Sequence, residues 1–186
     1  MATAVQTKII KGFNAVDLVT VAVFAALYRA AWYVWQIFGF LFPFNIVLAT
    51  FFATLAAVAA AVIVRKVGVF TLYAIAAALI NFFFQGEALV ASIIYLFLGV
   101  FSDAYLYMQI KAGKDPFTSF RDMAIAGGIF AFLWSAVNWG YVFPILFQME
   151  FSIGMLFAVA VSCFVGGVIG GLIGYKLGDR LKGLIY

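Results

Sequence analysis

The placement of Lys and Arg constrains this chain more than any other feature. Ten of its eleven basic residues fall in four alternate breaks between hydrophobic runs. Lys8 and Lys11 precede the first run, and Arg65 and Lys66 separate the second from the third. Lys111, Lys114 and Arg121 separate the fourth from the fifth, and Lys176, Arg180 and Lys182 follow the last. The breaks near residues 39–43, 85–88 and 148–151 carry no Lys or Arg, and two of them hold Glu87 and Glu150. Such alternation is what the positive-inside rule produces in a multi-pass membrane protein. It predicts an all-α fold of six transmembrane helices with both termini in the cytoplasm, and it gives every helix a direction.

Composition agrees with that reading. The chain is 68% hydrophobic and 10% charged, with a mean hydropathy of +1.18. A soluble domain of this length has no way to cover so much apolar surface. The spacing predicts spans at about 17–38, 43–64, 67–84, 88–110, 123–147 and 151–177, each near the ~20 residues a bilayer requires. They make a single integral-membrane domain over residues 1–186. The first run is too long for a signal-peptide core and no small-residue cleavage site follows it, so it reads as a retained span. The net charge of +4 belongs to the inner membrane face and implies contact with membrane lipid, with no nucleic-acid partner.

The residue types exclude most catalysis. There is no histidine, and the one cysteine, Cys163, lies inside an apolar run. That removes the usual general base, the usual metal ligands and any disulfide framework. No GxxxxGK[ST] phosphate loop and no GxSxG nucleophile turn occurs. The chain is therefore expected to be no enzyme, with no cofactor and no metal. A 3+3 inverted repeat of the kind found in self-contained transporters is not visible either.

The polar residues within the runs gather in the outer half. Arg29 lies twelve residues past Asp17, about 18 Å above the inner surface at the rise of an α-helix. Tyr33 and Gln36 follow it at helical spacing, with Trp32 beside them. Asn81 and Gln85 end the third run, and Tyr95 lies two turns into the fourth. Trp134, Asn138 and Tyr141 share a face of the fifth, and Glu87, Trp139, Gln148 and Glu150 rim the outer surface. Polar side chains in a bilayer face the bundle interior or a cavity. The pattern predicts a pocket open outward and closed below, where a channel needs a polar track through both halves. The candidate binding residues are Arg29, Trp32, Tyr33, Gln36, Asn81, Glu87, Tyr95, Trp134, Asn138, Trp139 and Glu150. Belt aromatics, interhelical hydrogen bonds and solvated loop acids are the structural alternatives for the same residues. Asp103 is the main inner-half polar residue. It is too deep to pair readily with Arg29, and is expected to meet Lys111 or a partner chain. The apolar connection 39–45 is a candidate lid.

Two stripes of small residues complete the pattern. Gly154, Ala158, Ser162, Gly166, Gly170, Gly174 and Gly178 recur at every fourth position of the last run, and Ala22, Ala26 and Ala30 do so in the first. Such stripes let a second helix approach closely, either inside one bundle or from a separate subunit.

Six short spans, the alanine stripe and an outward pocket resemble the S components of energy-coupling factor (ECF) vitamin importers. A narrower likeness is to the YkoE-like, thiamin-related branch. It rests on Val64-Arg65-Lys66-Val67-Gly68 and on Ala76-Ala77-Ala78-Leu79-Ile80-Asn81 before Gly86. Asn81 stands where that pattern expects a carboxylate. The resemblance implies a membrane-embedded substrate-binding subunit in the plasma membrane of a prokaryote. It would capture a small heteroaromatic vitamin, thiamin or its pyrimidine precursor first, and deliver it to a T component and two ATPase subunits. Ala22, Ala26 and Ala30 would be the docking stripe. A self-contained small transporter or channel, and a membrane scaffold with no ligand, are the rival readings.

Overall fold

The computed structural model describes residues 12–36, 44–85, 89–142, 144–145, 148 and 150–185. Among these the chain is helical throughout its regular elements: α1 (Ala15–Gln36), α2 (Phe44–Val64), α3 (Val69–Gln85), α4 (Leu89–Lys111), α5 (Phe120–Val137) and α6 (Ile153–Ile185). A 3-10 turn at Pro116–Thr118 precedes α5, and a π-helical segment at Asn138–Val142 extends it. Four stretches of the described residues are long and apolar enough to cross a membrane: Ala15–Val34, Val47–Val64, Phe120–Tyr141 and Ile153–Leu184. Val69–Phe83 is a shorter apolar helix. Large side chains point outward along them, including Phe83, Phe97, Phe157 and Ile153. Water does not tolerate that many contiguous exposed apolar groups, whereas lipid does.

The second helix is the hub, packed by α1, α3, α5 and α6. Its sequence explains why. Ala53, Ala56, Ala57, Ala59, Ala60 and Ala61 are all buried, and side chains this short let four neighbours close in from different sides. The glycine stripe of α6 answers them over its inner half. A β-carbon on Gly178 would stand 2.8 Å from the Ala59 carbonyl oxygen, and one on Gly166 would stand 3.1 Å from that of Val47. Gly170 and Gly174 face Phe51 and Leu55 in the same way. One residue along, a β-carbon on Gly171 would stand 2.9 Å from the Ala124 Cα of α5. So α6 lies between α2 and α5 on two glycine edges. The docking alternative for this stripe is corrected over Gly166–Gly178, because those residues are consumed by packing within the bundle. Gly154, Ala158 and Ser162 remain exposed.

The helix ends also differ from expectation. The last helix runs to Ile185 instead of ending near 177, because Gly178 still packs on α2 and Lys182 pairs with Asp179 one turn back. The fifth begins at Phe120, since the Ser119 hydroxyl caps the Asp122 amide at 3.2 Å. It leaves the α form at Asn138, where the π segment takes over.

The end of the bundle that carries the basic breaks, called the inner end after the expected topology, is tied by charge. Asn14 and Asp17 form a reciprocal cap at the start of α1, each side chain accepting from the other's amide at 2.8 Å. Lys66 reaches the same Asp17 carboxylate at 2.6 Å and the Gly12 carbonyl at 2.8 Å. Arg65 occupies the left-handed position that follows α2 (φ 54°) and pairs with Asp115. The Tyr105 hydroxyl donates to Asp122 at 2.9 Å, and the Tyr175 hydroxyl donates to the Thr118 carbonyl at 2.9 Å. Asp103 is also structural, which corrects its expected pairing with Lys111 or a partner. It accepts from the Phe70 and Thr71 amides at 3.3 and 2.8 Å and from the Thr71 hydroxyl at 2.6 Å. The Leu72 amide bonds to the Gly68 carbonyl, so Gly68 is the N-cap of α3 and Asp103 serves its second and third amides. Those amides have no partner inside their own helix, and the helix dipole favours a carboxylate there. Gly99 makes the reach possible: it lies one turn before Asp103, and a β-carbon on it would run into the Phe70 backbone.

Candidate functional site

Arg29 is the centre of the outer-half cluster. It lies seven residues, about 10 Å, below the outer end of α1. Burial on α1 falls on Asp17, Thr20, Val21, Phe24, Ala25, Tyr28 and Arg29, which turns the guanidinium into the bundle with only 3% of the residue exposed. Its Cζ lies 5.0 Å from the centroid of the Tyr28 ring and 5.5 Å from that of Trp134. The rings around it interlock. Tyr28 meets Tyr73 at 6.3 Å and Trp134 edge-on at 6.3 Å, while Phe130 meets Tyr73 at 6.0 Å and Trp134 at 5.9 Å. Three helices therefore build one aromatic enclosure for one cation.

That enclosure does not fill the hydrogen-bonding capacity of the cation. The Nε and Nη2 atoms of Arg29 are buried and meet no hydrogen-bond acceptor among the described residues, and neither does the Tyr73 hydroxyl. A desolvated cation–π contact contributes up to about 2 kcal/mol, whereas removing a charge from water costs several kcal/mol even after relaxation. Two rings offset part of that cost and offer no acceptor to the N–H groups. The acids among the described residues are engaged elsewhere or exposed. Asp17, Asp103, Asp115, Asp122 and Asp179 have the inner-end partners given above, and Glu150 is exposed. Glu87 lies outside the described residues.

The other expected site residues divide between this level and the rim. Trp134 is at the arginine. Asn138 is buried one turn above and donates through Nδ2 to the Trp134 carbonyl at 2.8 Å. Asn81 is buried on α3, two turns above Tyr73. Trp32 is half-buried, and Tyr33, one turn above Arg29 on the same side of α1, is exposed. Gln36 and Tyr95 lie in α1 and α4, with their side chains outside the described residues; of the candidate lid 39–45, residues 39–43 lie outside the described residues and Phe44 and Asn45 begin α2. Trp139 is buried in the π segment and meets Phe151 edge-on at 4.8 Å. Together with Glu150, Gln148, Pro144 and Leu156 it lines a groove of about 540 Å³ at the outer end. A π segment inside an α-helix is often retained at functional positions. Here it carries Trp139 toward that groove five residues after Trp134.

Ala22, Ala26 and Ala30 are exposed on α1, beside the edge of the buried face at which Arg29 turns inward. The principal packing partners of α1 are α2 and α3. The neighbouring exposed residues are Val16, Val19, Val23 and Leu27, which leaves one small-residue, wholly apolar helix face uncovered.

Sequence reasoning missed Tyr28, Tyr73 and Phe130. The last two had a signal. Phe130 precedes Trp134 by four residues and Tyr73 precedes Asn81 by eight, so each shares a helix face with a residue already singled out. Tyr28 adjoins Arg29 in sequence and carried none. The comparisons with protein-family models, with curated proteins and with solved structures return no match.

Proposed function

We propose that this chain is the membrane-embedded substrate-binding subunit of an ECF-type importer. In this reading six spans cross the plasma membrane of a prokaryote with both termini inside, and the outer half captures a small heteroaromatic vitamin. The observation that carries the reading is the buried Arg29 in its aromatic enclosure, with donors unfilled. A purely structural charge within a span is expected to have a counterpart in its own chain, as Lys66 has in Asp17 and Arg65 in Asp115 at the inner end. The aromatic surfaces suit a planar ligand, with Asn81 and Asn138 above for its polar edge. The resemblance points to thiamin or its pyrimidine precursor; the positive charge favours a neutral or anionic ligand over a cationic one.

Delivery requires energy that this chain has no nucleotide loop to supply, so a T component and two ATPase subunits complete the importer. The exposed face of α1 is the docking candidate, since small side chains let a partner helix approach closely. Ala26→Leu tests the division of labour. It adds bulk at an exposed position of α1, whereas the Arg29 side chain one turn on is turned into the bundle. Uptake by cells expressing the whole importer should fall at least tenfold, while ligand affinity of the purified chain stays within twofold. Loss of both together places Ala26 in packing and removes the docking face from this reading. A self-contained transporter would instead move ligand in vesicles without ATPases.

A further inference from the structure

We infer that Arg29, assisted by Tyr73, holds a carboxylate of the captured molecule. The inference rests on the reading of the bundle as a binding subunit and names the chemical class of its substrate: a small planar organic acid. The unfilled atoms carry the argument. Nε–H and Nη2–H lie on the same edge of a guanidinium and point in parallel, the arrangement that meets the two oxygens of a carboxylate side-on. These are the two buried nitrogens of Arg29 without an acceptor. The Cζ lies over the rings of Tyr28 and Trp134, which offer no acceptor, so the Nε/Nη2 edge is the part of the cation that still has donors to give a ligand. The Tyr73 hydroxyl, buried and equally without a partner, lies within electrostatic reach of Arg29 and supplies a third donor.

Charge balance narrows the class. Arg29 is one cation, and the other ten Lys and Arg residues sit in the breaks at the inner end or tail. A monoanionic carboxylate neutralises it. A phosphate dianion would leave an excess negative charge in a low-dielectric site, and a cationic ligand would face a like charge. The interlocked rings of Tyr28, Tyr73, Phe130 and Trp134 present flat apolar surface beside the donors, which selects a planar body for the acid.

The test compares acids with their amides, which keep shape and lose charge. The full chain in lipid nanodiscs is titrated with benzoate, 4-aminobenzoate, nicotinate and indole-3-acetate, each against the corresponding amide, and tryptophan fluorescence and thermal shift are read. At least one acid should bind tenfold or more tightly than its amide. Arg29→Gln should erase that preference. Tyr73→Phe, which removes only a hydroxyl, should weaken the acid severalfold and leave the amide unchanged. Amides binding as well as acids would overturn the inference while leaving the binding-subunit reading standing. No acid bound above its amide anywhere in the panel would also overturn it, and the docking test above would then judge the broader reading alone. If Arg29→Gln fails to fold, Tyr73→Phe decides: unchanged acid affinity removes the paired donors.

Discussion

The two ends of this bundle treat charge in opposite ways. At the inner end Asp17 is shared by a helix cap and Lys66, Asp115 takes Arg65, and Asp103 closes the N-terminus of α3. Each charge there fixes one element against another. In the outer half a single guanidinium is drawn 97% out of solvent contact, as its 3% exposure records, and is left with donors unfilled. The difference teaches how to separate structural from functional charge in a membrane bundle. A structural charge finds its counterpart in the chain, because leaving it without one in lipid costs several kcal/mol. Arg29 has none among the described residues, and in the proposed reading the ligand supplies it.

Packing offers the sharpest way to break the comparison. Gly171→Leu puts a side chain where a β-carbon alone would stand 2.9 Å from the Ala124 Cα, on a backbone that has no rotamer to move aside. Overpacking of this kind should destabilise the bundle by about 3 kcal/mol or more, read as a lower thermal midpoint in detergent. Gly154→Leu, at the open outer end of the same helix with nothing within 4 Å, should change the midpoint little. Equal effects would show that the two ends of α6 are not packed differently.

Asp103→Ala tests the inner-end charges. It leaves two buried amides and the Thr71 hydroxyl without their acceptor and should destabilise by about 2 kcal/mol. Hydrogen exchange should locate the loss at the first turn of α3. Exchange unchanged at Phe70 and Thr71 would mean that the cap is not the role of Asp103.

Arg29→Met should have the smallest effect on the ligand-free protein. Methionine fills similar apolar volume and removes a desolvated charge, so stability should stay within about 1 kcal/mol or rise. Binding, by contrast, should be lost. Misfolding of this variant would place Arg29 with the inner-end charges as a structural group and dissolve the contrast between the two halves.

Much of this architecture is legible in the sequence. The apolar runs and the alternation of basic breaks locate the helices, because a bilayer sets both their length and their flanking charge. The depth of Arg29 follows from counting residues at a fixed rise. The caps made by Asn14 with Asp17 and by Ser119 with Asp122 set the starts of the first and fifth helices a few residues before those expected from hydropathy.

Tertiary structure alone decided which faces meet. The sequence holds two small-residue stripes, and nothing in their spacing says that Gly166–Gly178 packs on the hub helix while Ala22, Ala26 and Ala30 stay bare. That outcome depends on the alanine-rich sides of α2 and on the course of α6 between two neighbours. The partner of Asp103 was hidden for a similar reason. A carboxylate that caps a different helix is 32 residues from the amide it serves, and its reach depends on the close approach permitted by Gly99. The enclosure of Arg29 likewise joins Tyr28, Tyr73 and Trp134 from three helices. A helix period reports which residues share a face; only the packed bundle determines which faces are turned toward one another.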